Sequence, residues 1–100
     1  MVTWTYPARV DLKEIRDYIA KDSLLYARKV SEEIVEASDT LALFPRRGRI
    51  VPELEENNIR EIFLYSYRLI YEIVNTDIYI LALVHGRRNI SPADISREQQ

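Results

Sequence analysis

The residues best suited to chemistry lie in and beside one apolar stretch, Ile59 to Arg88, reading IREIFLYSYRLIYEIVNTDIYILALVHGRR. It carries Arg68, the lone histidine His85, and Arg87 with Arg88. From Arg46 to Arg88 every cation is an arginine: Arg46, Arg47, Arg49, Arg60, Arg68, Arg87 and Arg88. Arginine offers a planar fork of donors that grips phosphate or carboxylate through two hydrogen bonds, so the segment points to an anionic partner. Histidine adds a group that titrates near neutrality.

Three runs rich in Ile, Leu, Tyr and Val, broken at Ser66 and at Asn75-Thr76-Asp77, predict a three-stranded antiparallel meander. If the second hairpin turns at Asn75-Thr76, Val74 faces Asp77 and Arg68 lies opposite Leu83. A turn one residue later puts Arg68 opposite His85. Strict alternation sends Arg68, His85 and Arg87 to one face in either register, together with Ile70, Glu72, Tyr79, Leu81 and Leu83. The other face, with Tyr67, Leu69, Tyr71, Ile73, Ile78, Ile80, Ala82 and Val84, is the one expected under helices.

Upstream, Val2-Thr3-Trp4-Thr5-Tyr6 alternates as a short strand added to the meander, with Trp4 in the core. Pro7 suits the first turn of a helix. Leu12, Ile15 and Ile19 keep helical spacing, and that helix should end near Lys21-Asp22. Asp22 or Ser23 can cap a second helix whose apolar positions Ala27, Val30, Ile34, Ala37 and Leu41 carry on to Phe44, where Pro45 stops it. With almost no linker the two helices form a hairpin, and their apolar stripe needs the sheet to cover it. The fold class is α+β: an N-terminal strand and an α-helical hairpin packed on a small antiparallel sheet.

The loop PRRGRIVPELEENN, from Pro45 to Asn58, holds three arginines, two prolines and a glycine, so it reads as an ordered loop and as the place where a mobile or ligand-facing segment would sit. Beyond Arg88 the polar tail, from about residue 89, is expected to fray unless a partner orders it. At 100 residues and 47% hydrophobic content the chain suits one small domain with a single core. It has no cysteine, which removes disulfides and thiolate metal sites, and one histidine leaves little to build another metal site. No apolar run approaches a membrane span and the start carries no signal-peptide pattern, so a cytoplasmic protein without membrane contact is expected. The net charge of -2 argues against nonspecific nucleic-acid binding and requires any such contact to be local.

The order of strand, helix hairpin, loop and meander, with ALFPRRGRIVPEL, IREIFLYSYRLIYEI and ILALVHGRRN, resembles the RelE/ParE superfamily of toxins from bacterial type II toxin–antitoxin systems. The similarity runs from about Trp4 to Arg88. It implies a growth-inhibiting toxin neutralised by a cognate antitoxin, of the kind associated with plasmid stabilization. The superfamily splits in mechanism: the RelE and YoeB branch cleaves messenger RNA in the ribosomal A site, whereas the ParE branch inhibits DNA gyrase. By resemblance Glu53 falls at the catalytic Glu of a Pro-Glu motif and Arg68 at an arginine of the third strand. The end of the chain departs from the pattern, since those toxins place a His or Tyr near the positions of Arg87 and Arg88, slightly beyond His85.

Cleaving RNA through its own 2′-hydroxyl needs a base, a cation for the charge on phosphorus, and an acid for the leaving 5′-oxygen. Glu53, Arg68 and His85 can fill those roles in that order, without metal or cofactor. Arg46, Arg47, Arg49, Arg60, Arg87 and Arg88 would bind flanking RNA or phosphates. Each residue also has a plainer reading: Arg68 in a structural ion pair with Glu72, His85 hydrogen-bonded at a strand end, Glu53 one of several solvated acids. Because one helical hairpin covers only one sheet face, Ile70, Leu81 and Leu83 are expected to form an exposed patch that, with Arg68 and Arg87, binds the antitoxin. Three readings follow: a ribosome-dependent endoribonuclease, placed first; a gyrase inhibitor with no enzymatic activity; and a non-toxic antitoxin-binding module.

Overall fold

The computed structural model describes residues 1–95. Strand β1 (Val2–Trp4) leads into helices α1 (Tyr6–Ala20) and α2 (Leu24–Asp39), followed by β2 (Arg49–Ile50), β3 (Ile59–Leu64), β4 (Tyr67–Val74) and β5 (Asp77–His85). They form a five-stranded sheet in the order β1-β5-β4-β3-β2. The expected meander is β3-β4-β5, antiparallel throughout, whereas β1 joins β5 in parallel and makes the sheet mixed.

Local sequence explains the element boundaries. The Thr5 hydroxyl accepts a hydrogen bond from the Ala8 N–H and donates to the Ile80 carbonyl, so one side chain caps α1 and ties its start to β5. Ser23 caps α2 by accepting from the Tyr26 N–H. The second helix ends at Asp39 rather than Phe44, its last turn tightening into a 3-10 segment, Thr40–Ala42. Both two-residue hairpins place a non-glycine residue first with positive φ, Tyr65 at 57° and Asn75 at 57°. That conformation is ordinary for Asn and strained for Tyr. Tyr65 is held there by donating its hydroxyl to Glu33 on α2, which pushes the phenol up to about 12, and by edge contact with Tyr26.

The two faces of the sheet carry separate cores. On one, Ala8, Val30, Ile34 and Leu41 pack against Ile62, Leu69, Tyr71, Ile78, Ile80 and Leu83, with Leu12, Ile15, Ile19 and Trp4 around them. On the other, Val51, Ile59, Ile70, Ala82, Val84 and Ile90 pack together, joined by Leu54 and Ile95. That second core corrects two expectations. Ile70, Leu81 and Leu83 do not form an exposed patch, since all three are buried. The segment after β5 is not frayed through Ile95: Ile90 is buried, Pro92–Asp94 form a 3-10 turn, and Asp94 pairs with Arg88. The last five residues lie outside the described part. The chain's own loop and C-terminal segment cover the face that seemed to need a partner.

A third correction concerns alternation. Ile70 pairs with Ala82 but Tyr71 with Ile80, leaving Leu81 as the extra residue of a bulge. Beyond it every side chain of β5 changes face. Ala82 and Val84 join Arg68 on the second face, Leu83 goes beneath the helices, and Arg68 sits opposite Val84 rather than Leu83 or His85.

Candidate functional site

Arg68 stands at mid-sheet on β4, only 3% exposed. Its position in an apolar core obliges it to find anions, because an unpaired buried charge is very costly. It finds two. Nη1 and Nη2 grip the two carboxylate oxygens of Glu53, each at 2.8 Å, in a bidentate pair. Nε donates to Oε1 of Glu61 at 2.7 Å and Nη2 lies 2.6 Å from the same oxygen. Nη1 also donates to the carbonyl of Arg88 at 3.0 Å. The guanidinium fork is fully engaged by the protein itself.

The network extends both ways. Oε2 of Glu61 accepts from Arg49 Nε at 2.6 Å, and Oε2 of Glu53 accepts from the Ile90 N–H at 3.3 Å. Arg49, Glu61, Arg68 and Glu53 thus lace β2, β3, β4, the long loop and the C-terminal segment together. Glu61, fully buried, went unnoticed in the sequence. The signal was present: a hairpin turning at Tyr65-Ser66 sets Phe63 across from Arg68, which places Glu61 diagonally opposite the arginine on the same face. Arg68 does form an ion pair, as its plainer reading held: Glu53 and Glu61 lie against its guanidinium, while Glu72 accepts from Asn58 Nδ2.

Arg68 holds the Glu53 carboxyl down at about 2, well below the usual carboxylate range. The sign of the linkage follows: a carboxylate whose folded pKa is depressed adds stability above its unfolded pKa and loses it as pH falls toward the folded value. Between about pH 4.5 and pH 2 the wild type should therefore lose more Tm than Glu53→Gln does. Thermal melts of the two proteins across that window check this; parallel curves would remove Glu53 from the acid response.

His85 lies apart from this network. The bulge turns it to the helix side, where its ring meets Tyr67 edge-on at 6.2 Å and its Nδ1 accepts from the Arg87 N–H. It lines a cleft of about 380 Å³ with Asp11, Glu14, Tyr18, Tyr67 and Arg88. Burial raises the Asp11 carboxyl, whose Oδ2 accepts the Leu83 N–H at 3.0 Å. The structure therefore brings Glu53 and Arg68 together and leaves His85 on the opposite side of the sheet. Arg87 belongs to the turn after β5 and shares no strand face with Arg68.

The remaining arginines serve the loop. Tyr71, buried beneath it, donates its hydroxyl to the Pro45 carbonyl at 2.6 Å and accepts from the Gly48 N–H at 3.0 Å. Arg60 donates to the Gly48 carbonyl and to Asn57, and Arg47 donates to the Thr40 hydroxyl. Arg49 spans Glu61 and the Phe63 ring. Arg46 is exposed and forms no ion pair among the described residues. No group of three or more His, Asp or Glu side chains able to hold a metal occurs among the described residues, and no helix there is long and apolar enough to cross a membrane.

A short strand, a helix hairpin and an antiparallel meander, laced in this chain by a buried arginine, make up a fold that other proteins share. Residues 2–90 match the family described as ParE toxin of type II toxin-antitoxin system, parDE, and the chain belongs to that family. A curated relative named Toxin RelE2, from Caulobacter vibrioides, is 33% identical over 88 residues, covering 87% of this chain and 96% of the relative. Two solved structures are similar in fold. One is the chromosomal ParDE system from P. aeruginosa, at TM-score 0.70 and 25% identity, covering 84% of this chain and 92% of that one. The other is the RelBE2 toxin-antitoxin complex from Mycobacterium tuberculosis, at TM-score 0.61 and 26% identity, covering 85% of this chain and 95% of that one. The protein is a type II toxin of the RelE/ParE superfamily.

Proposed function

We propose that this toxin, working in the cytoplasm and restrained by a cognate antitoxin, inhibits growth by binding its target rather than by cleaving RNA. Its target is then the one ascribed to the ParE branch, DNA gyrase. The observation that supports this is the state of Arg68. A phosphate clamp must present free donors to a transition state, whereas here the whole fork is spent on Glu53, Glu61 and the Arg88 carbonyl. Glu53, with its carboxyl held near 2 by that pairing, is a weak proton acceptor, and His85 stands across the sheet from both.

The test pairs two assays on the purified chain. Gyrase supercoiling should be inhibited or trapped as cleaved DNA, and translated message in a cell-free system should keep intact 5′ ends. Cuts confined to translated message, with gyrase unaffected, would overturn the proposal. A second reading keeps ribonuclease activity but moves it to the cleft where His85, Asp11, Tyr67 and Arg88 meet. In that case His85→Ala would abolish cutting and Glu53→Gln would spare it.

A further inference from the structure

The turn after α2 presents an apolar cavity with a cationic rim. Phe44, Pro45, Arg46, Arg47, Ile73 and Asn75 line a volume of about 610 Å³, and no carboxylate is among them. Phe44, the large apolar residue at its mouth, is 63% exposed. The surface is nonetheless fixed. The Tyr71 hydroxyl pins the turn at Pro45 and Gly48, the Arg47 N–H donates to the Phe44 carbonyl at 3.1 Å, and the Arg47 side chain is tied to Thr40. A rigid apolar site bordered by free positive charge is pre-organised for a ligand, because little ordering entropy is left to lose on binding.

We propose that this cavity is a docking site for an acidic segment of the antitoxin, with one aromatic or branched apolar side chain set against Phe44, Pro45 and Ile73 and flanking carboxylates meeting Arg46 and Arg47. The proposal rests on the reading of this chain as an antitoxin-restrained toxin. Three observations select that occupant. The sheet face opposite the helices is already covered by Val51, Leu54, Ile90 and Ile95, so the antitoxin must find its apolar purchase elsewhere. A second copy meeting this site about a two-fold axis would bring Arg46 and Arg47 against themselves. A nucleic acid would gain little from walls of Phe, Pro and Ile on a chain of net charge -2.

The experiment measures the affinity of the co-purified antitoxin for the full chain carrying Phe44→Ala or Arg46→Glu, both exposed positions whose folding is checked by circular dichroism. Arg46→Glu should weaken binding about 10- to 100-fold and flatten its dependence on salt; Phe44→Ala should weaken it about tenfold with the salt dependence unchanged. Leu25→Ala, at a still more exposed apolar position on α2, should leave affinity unaltered. Unaltered affinity in both test variants overturns the proposal. So does a change confined to the oligomeric state of the toxin, which would make the site an interface between copies. A wild-type chain that binds no antitoxin overturns the reading on which the proposal rests, a failure distinct from that of the site.

Discussion

Arg68→Ala is expected to cost about 3 kcal/mol of unfolding free energy, in the range of breaking a buried ion pair by removing one partner. For a chain of this size that lowers Tm by more than about 10 °C. Partner burial sets the magnitude. Glu61 would keep only Arg49, whose own side chain is 60% exposed, while its other oxygen would face an apolar cavity. Glu53, 22% exposed, can take water in place of the guanidinium, so it adds less. The expected order of destabilisation is therefore Arg68→Ala first and Glu53→Ala last. Chemical denaturation of the two variants would show it, and equal losses would mean that the network is not apportioned as its burial suggests. The order bears on function, because loss of toxicity in Arg68→Ala alone would report unfolding as readily as lost chemistry.

The second large effect is expected at Gly48. A Cβ there would sit 2.6 Å from the Glu61 carbonyl oxygen and 2.7 Å from the Tyr71 hydroxyl. Neither neighbour can move cheaply: one is ladder backbone of β3, and the other belongs to a buried ring hydrogen-bonded on both sides of the turn. Overpacking of this kind costs about 1–3 kcal/mol, and Gly48→Ala belongs at or above the upper end because backbone is struck. Tyr71→Phe removes one of the two obstacles along with two hydrogen bonds. Gly48→Ala with Tyr71→Phe should accordingly cost less than the sum of the single changes, a coupling that a double-mutant cycle in denaturant would measure. Strict additivity would mean that the hydroxyl does not set the clash. A shift of the turn carrying Phe44 and Arg46 to relieve this clash would lower antitoxin affinity together with stability.

Much of this architecture was legible in residue order. Alternation in IREIFL, YRLIYEIV and DIYI marks β3, β4 and the first half of β5; Pro7 and Ser23 mark the helix starts, whereas Thr5, read as strand, is the cap of α1. The bulge at Leu81 was not legible for a physical reason. Residues 80–84 are apolar throughout and are buried on both faces, so a one-residue slip exposes nothing and leaves no trace in the pattern. The face assignments of Ala82, Leu83, Val84 and His85 all turned on that slip. The covered second face was hidden because its lid consists of isolated apolar residues, Val51, Leu54, Ile90 and Ile95, in otherwise polar stretches without periodicity. Arg68 and Glu53 were found, and their mutual pairing was not, because nothing in their spacing told a clamp awaiting phosphate from a clamp already closed on carboxylates.

On the proposed function, Arg68 stabilises the toxin and does no chemistry. Its most direct test is growth inhibition by Arg68→Met combined with Glu61→Met, which replaces the buried pair by apolar side chains and leaves Glu53 and Arg49 reachable by solvent. Such replacements of buried ion pairs are often neutral or stabilising. A folded double variant that still arrests growth, and is still relieved by the antitoxin, is the predicted result. A double variant as stable as wild type that no longer arrests growth would contradict a purely structural role and return Arg68 to the reacting centre.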